Sequence, residues 1–423
     1  MWALEVLSRG RMLYIEAAQL NGENEPLFCL YQERKFEFSE LSSIIMGKFA
    51  KGIFTVLLIF VGFVFIFCGI VPSSQSLSVN IPVNTSVFRT CNSSEFDTGI
   101  IPSGRCLNWY RLMVSLFGVV GTISACLRAK EQKYMNIIFA LARFTVMCYV
   151  VCFAIYVIVM CKDKAQENLI TKFEFHQGML AFATFFNFVS LPIFLPALSH
   201  LVAKKSIIVP VLVTSCVIVL LQCIIFSVVL VTAFGKDIHQ NSLLNLQPYT
   251  VGNYSITVKV ISHLVILYPC FDGICSFMFG VILASNQTFT ILTGKDYTEF
   301  SNKMGYRVLN FSIYIFYSLS TTILALFVSN LAIIISLAGS IFFICNVLFP
   351  SLLNIVSSQK CRKLVASENT SLLTRVSRFL FKSAFPTSFS GFYSGCLFIA
   401  ITTAISAILF TISFYYLTIT LFS

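Results

Sequence analysis

Residues Asn330–Ile355 read NLAIIISLAGSIFFICNVLFPSLLNI, a stretch without a charged side chain and long enough to cross a bilayer. At ~100° per residue, Ser336, Gly339, Ser340, Asn346 and Pro350 fall within roughly 120° of one helix face. The opposite face carries Ile, Leu, Phe and Val. A lipid-facing helix has no use for a polar and small stripe, so the stripe is expected to meet protein or a polar cavity. A packing seam of small residues would read the same way by helix physics alone.

Similar runs recur on both sides of this one. They lie at 52–71, 108–127, 135–160, 178–201, 207–233, 256–283, 308–328, 331–356 and 394–422. About nine spans are therefore expected, and an odd number puts the two termini on opposite sides. Of the 423 residues, 57% are apolar and 11% charged, more apolar side chains than a water-soluble core of this size would hold. The expected class is an all-α polytopic membrane protein. Phenylalanine, with 44 residues, reads mainly as lipid-facing bulk.

Lysine and arginine set the expected orientation. With a cytosolic N-terminus, most of the 29 Lys and Arg fall on the cytosolic side, against Arg89, Arg105, Lys162, Lys164, Lys172 and Lys236 on the other. The C-terminus is then external or lumenal. The net charge of +11 reads as topology and contact with the anionic lipid of the bilayer, and no nucleic-acid partner is expected. Asn-x-Ser/Thr sequons at Asn84, Asn92 and Asn253 fall on the expected external side, where glycosylation occurs; those at Asn286, Asn310 and Asn369 do not. Cys91 and Cys106 share the first external loop and form either a disulfide or a pair of free thiols.

Residues 1–47 contain no continuous apolar run and read as a cytosolic arm, and 48–423 as the transmembrane domain. The four histidines (His176, His200, His239 and His263) have no metal-ligand spacing. Neither a phosphate-binding loop nor a nucleophile elbow is present in the sequence. The chain is expected to be no enzyme and to need no metal or cofactor.

Polar groups inside the spans carry more information, because an ionised side chain in hydrocarbon costs several kcal/mol. Arg143 lies in the third span and Asp272 in the sixth, at similar depth, and the two are placed to pair. Arg143 is also long enough to snorkel to an interface; Asp272 is not. Tyr268 and Ser276 stand four residues on either side of Asp272, and Pro269 and Gly273 weaken the helix beside it. In the fourth span Asn187 and Ser190 precede Pro192, with Pro196 a turn later. That is either a plain kink or a helix broken so that its carbonyls face a cavity.

The wording of ISLAGSIFFICNVLFPSLLNI resembles the tenth helix of the amino acid/auxin permease family. Residues 182–205 resemble that family's sixth helix, 135–160 its fifth and 258–292 its eighth. Within the family the chain most resembles the transmembrane protein 104-like branch, through the Cys-containing external loop, Leu141–Ala142–Arg143 at the start of helix five, and Tyr14–Ala18 (YIEAA) as a remnant of helix two. The resemblance implies two inverted five-helix repeats plus one, of which this chain would hold helices 3–11. The first helix, broken at mid-membrane in that fold, would then be missing.

The resemblance also implies a function. Its members carry amino acids by secondary-active transport, and some sodium-independent relatives place a basic side chain of helix five where others hold sodium. Arg143 facing Asp272 would match that arrangement, with Asp272 as the proton-linked group. Thr184, Asn187 and Ser190, with carbonyls near them, and Tyr268 are expected to bind the substrate, while Ser336 and Gly339 line its path. The alternative is a non-transporting membrane sensor or scaffold on the same fold.

Overall fold

The computed structural model describes residues 38–96, 104–126, 129–160, 208–235, 238–239, 241–251, 255–293, 304–328, 338–367 and parts of a helix between 400 and 411. Every regular element among them is helical, and one isolated β-bridge joins Asn84 to Arg89. The main helices are α1 (Phe38–Met46), α2 (Lys48–Asn80), α3 (Gly104–Ala125), α4 (Ala129–Met160), α5 (Ile208–Phe234), α6 (Ile256–Thr293) and α7 (Met304–Ala325), followed by α8, the span Ala338–Lys360. Helices are the expected outcome: hydrocarbon offers the backbone no hydrogen-bond partner, so each segment must satisfy its own N–H and C=O groups.

Seven of these helices, α2 to α8, are long and apolar enough to cross a membrane among the described residues. They mark an integral, multi-pass membrane protein. They coincide with seven of the nine stretches read from the sequence. The stretch 178–201 lies outside the described residues, as does most of 394–422. α5 shows the environment most plainly, because Val213, Val217, Ile218, Leu221, Ile225 and Val228 are all about half exposed, which only a lipid solvent makes tolerable over such a length.

The chain divides into two compact units. One takes Met1–Leu58, Met179–Cys216 and Leu337–Phe414, the other Ile59–Gly178, Val217–Ser336 and Tyr415–Ser423.

In the first unit α1 packs along the helix Phe349–Ser367. Leu41 and Ile45 of α1 are fully buried, one turn apart on the same face. Gly47, at φ +93°, ends α1 with its N–H on the Ser43 carbonyl at 2.9 Å, and α2 starts at the next residue. A left-handed residue at this position is the usual helix stop, and only glycine takes it without steric cost. Phe54 of α2 stacks on Phe349 with ring centroids 4.4 Å apart.

The second unit is built around α6, which packs against α3, α4 and α7. Its core joins Ile66 and Ile70 of α2, Tyr110 and Phe117 of α3, and Phe277 and Val281 of α6. Lipid chains are as apolar as leucine, so burying such residues against one another gives little net drive in a bilayer, and close fit has to hold the helices together. α2 and α6 supply it as an antiparallel pair. A Cβ on Gly62 would lie 2.7 Å from the Gly280 carbonyl oxygen, and one on Gly69 would strike the Gly273 carbonyl. These glycines recur every seven residues on both helices, so each pair lies on one face.

Residues 81–96 are tied down by covalent and polar links. Cys91 and Cys106 form a disulfide, Arg89 pairs with Glu95, and the Ser93 N–H donates to Gln247 Oε1 at 2.9 Å. Asn84 and Asn92 are exposed on this segment, whereas Asn253 lies outside the described residues. The Cys91→Ser/Cys106→Ser double variant is expected to lose about 3 kcal/mol, the loop-entropy value for a closure of this size. Peptide mapping with and without reductant, together with thermal unfolding, checks both the bond and its contribution.

Candidate functional site

The polar cluster of the second unit lies between α4 and α6. The Arg143 guanidinium donates from its terminal nitrogen to Asp272 Oδ1, forming an ion pair. Its Nε donates to the Tyr268 hydroxyl at 3.4 Å, and that hydroxyl donates to the Phe139 carbonyl oxygen, also at 3.4 Å. Phe139 stands four residues before Arg143, so Tyr268 touches α4 one turn from the arginine it also receives. Tyr268 and Asp272 share a face of α6 by the same spacing.

The cluster is remote from the charged ends of its helices. Lys133 is the charged residue nearest Arg143 in sequence and Lys259 the one nearest Asp272; at ~1.5 Å per residue these are roughly 15 and 20 Å away along the helices. Each charge alone would be expensive there, and each removes most of the other's cost. The pair is not sealed by the chain. The Arg143 side chain is 55% exposed and that of Asp272 29%. Tyr268, whose hydroxyl meets Arg143, is more deeply buried than either partner of the pair.

Next to Tyr268, α6 lacks one backbone hydrogen bond, and α2 is tied to it there. Pro269 has no N–H for the Val265 carbonyl. The Ser73 hydroxyl of α2 shares its proton between the Gly69 carbonyl at 2.6 Å and the Pro269 carbonyl at 2.7 Å. The thiol of Cys270 faces the Ser73 carbonyl at 3.5 Å. At the end of this seam, Asn80 Nδ2 donates to the His263 carbonyl at 3.1 Å, and Asn80 Oδ1 meets the His263 ring. The result is a continuous helix, one hydrogen bond short at Pro269, that is stitched to α2 there and carries Tyr268 and Asp272.

The structure brings together Arg143, Tyr268 and Asp272. Thr184, Asn187, Ser190 and Ser336 lie outside the described residues. Gly339 is buried in the first unit. Its helix differs from the regular one assumed in drawing the stripe. Ile344–Leu348 is a π turn, in which the Phe349 N–H bonds the Ile344 carbonyl. The advance per residue therefore changes between Ser340 and Pro350. Nor is the apolar side left to lipid, because Phe342, Phe343, Phe349 and Leu353 are buried within this unit. α1 packs along that region.

Two features escaped the reading of the sequence. The paired glycine heptads, Gly62/Gly69 and Gly273/Gly280, were visible as spacing, but nothing in either helix said that they face each other. Asn346 was placed in the stripe without a role. In the structure it is 7% exposed, and neither its Oδ1 nor its Nδ2 has a hydrogen-bond partner. Its signal, a lone amide one turn before a proline in an apolar span, is too common to single it out.

No family model, curated protein or solved structure matches this chain.

Proposed function

We propose that the protein is a secondary-active amino acid transporter, independent of sodium and coupled to protons through Asp272, on a fold related to the amino acid permeases. The observation that carries this reading is the Arg143–Asp272 pair with Tyr268, held far from the helix ends beside Pro269. An ion pair of this kind is expensive to keep in a bilayer for structure alone. Arg143 supplies a fixed positive charge in place of a bound cation. A proton arriving at the partly exposed Asp272 releases the guanidinium and loosens the contact between α4 and α6. Thr184, Asn187, Ser190 and the carbonyls near them, with Tyr268, bind the substrate, and Ser336 and Gly339 line its path. The orientation is N-terminus cytosolic, C-terminus external or lumenal; exposure of the Asn84 and Asn92 sequons beside the disulfide supports it.

Uptake into proteoliposomes tests the proposal. With an imposed inward proton gradient and no sodium, the protein is expected to accumulate at least one labelled amino acid. Asp272→Asn is expected to lower the gradient-driven component at least about 100-fold, the low end of a proton-transfer role. A strict sodium requirement, or an unchanged pH dependence in Asp272→Asn, would rule the mechanism out. Folded protein that moves none of the amino acids supports the sensor or scaffold reading instead.

A further inference from the structure

We infer that Asn346 is the polar anchor of a buried ligand site on α8, and that the ligand is the α-ammonium and carboxylate of a free amino acid. The inference rests on the transport reading for its ligand class, but it assigns a site outside the Arg143–Asp272 cluster.

The first observation is the amide itself. Buried polar groups are almost always paired, and a carboxamide with both ends unpaired is costly enough that a fold keeps it for a reason. Four buried hydroxyls of the same unit are already used. Ser42, Thr55, Ser351 and Ser357 each donate to a carbonyl three or four residues back in the chain. Among the described buried polar residues of this unit, Asn346 is the one whose side chain has neither end paired.

The second observation is the backbone at the same residue. Pro350 has no N–H to offer the Asn346 carbonyl, four residues earlier. The Phe349 N–H bonds Ile344, so it is turned from the Cys345 carbonyl that a regular helix would give it. A π turn of this kind exposes main-chain acceptors at a defined place, and such turns concentrate at functional sites.

Taken together, one residue presents an amide donor and an amide acceptor beside two carbonyls deprived of their helical donors. Acceptors clustered in this way suit an ammonium, and Nδ2 suits a carboxylate oxygen. The buried polar residues described in this unit are uncharged, so an ion of either sign would enter without a counter-charge. A zwitterion, whose charges cancel and whose donors and acceptors match those on offer, fits best.

Thermal shift of the full chain in lipid nanodiscs tests this, with each of the twenty standard amino acids as probe. At least one is expected to raise the Tm of the wild type, while the corresponding amine and carboxylic acid are not. Asn346→Leu, nearly the same size and without the unpaired amide, is expected to raise the Tm of the ligand-free protein and weaken binding about 10- to 100-fold. Asn346→Ala is read in the same assay and is expected to lose binding equally. Unchanged binding in both variants overturns the inference and leaves the transport reading intact. A lower ligand-free Tm in Asn346→Leu shows an amide satisfied for structure and also overturns it. A wild type shifted by none of the twenty overturns it too, and uptake by the same protein in vesicles then decides whether the transport reading falls with it.

Discussion

Gly273→Ala is expected to break the crossing of α2 and α6 and to destabilise the protein by on the order of 3 kcal/mol, a large effect for one methyl group. The added Cβ would meet the Ser73 hydroxyl and the Gly69 carbonyl, and a backbone oxygen cannot rotate out of the way. The helices would have to separate, losing the Ser73 bond to the Pro269 carbonyl as well. Overpacking costs about 1–3 kcal/mol, and breaking a buried hydrogen bond adds to it. Gly69→Ala meets the same obstacle from the other side. Gly52, on α2 with nothing within 4 Å of its would-be Cβ, is the control. Its alanine variant is expected to be neutral or up to about 1 kcal/mol more stable. Thermal unfolding in detergent, followed by circular dichroism, ranks the three. Equal midpoints for Gly273→Ala and Gly52→Ala would show that the helices do not cross at this register.

A double-mutant cycle on Arg143 and Asp272 is expected to show strong coupling. Arg143→Leu strands a short carboxylate at hydrocarbon depth, and a loss of about 2–3 kcal/mol is expected. Asp272→Leu is expected to cost less. The arginine is long and 55% exposed, so it can bend its head toward an interface when its partner is gone. The double variant is expected to recover most of both losses, since two leucines leave no unpaired charge. Additive losses in the double variant would mean that the two residues act separately. Run beside the uptake assay, the cycle separates folding from transport: the double variant should fold well and carry nothing against a proton gradient.

Much of this was legible in the chain, and the reasons differ from residue to residue. The seven described spans were readable because a bilayer demands length and apolarity in one continuous segment. Arg143 and Asp272 stood out because charge in such a segment is rare. Their pairing followed from similar depth, although the sequence left snorkelling open for Arg143. The Ile344–Leu348 turn was not legible. Pro350 suggests a break there, but whether a helix answers with a kink or a widened turn depends on what packs around it. Burial of Phe342 and Phe349 was missed for a related reason, since an aromatic suits lipid and a protein interior equally.

The sequence by itself determined an integral, all-helical membrane protein, because hydrocarbon solvent forces that choice on any long apolar segment. It also marked the ionisable residues that such a solvent penalises. Only the tertiary structure decided that Gly62 and Gly69 meet Gly280 and Gly273, that Ser73 ties α2 to the Pro269 carbonyl, and that Asn346 is buried with nothing to bond. In lipid the helices gain little by merely hiding apolar surface. Which faces meet is settled by shape and by polar partners roughly 200 residues apart in the chain, and no single helix records that.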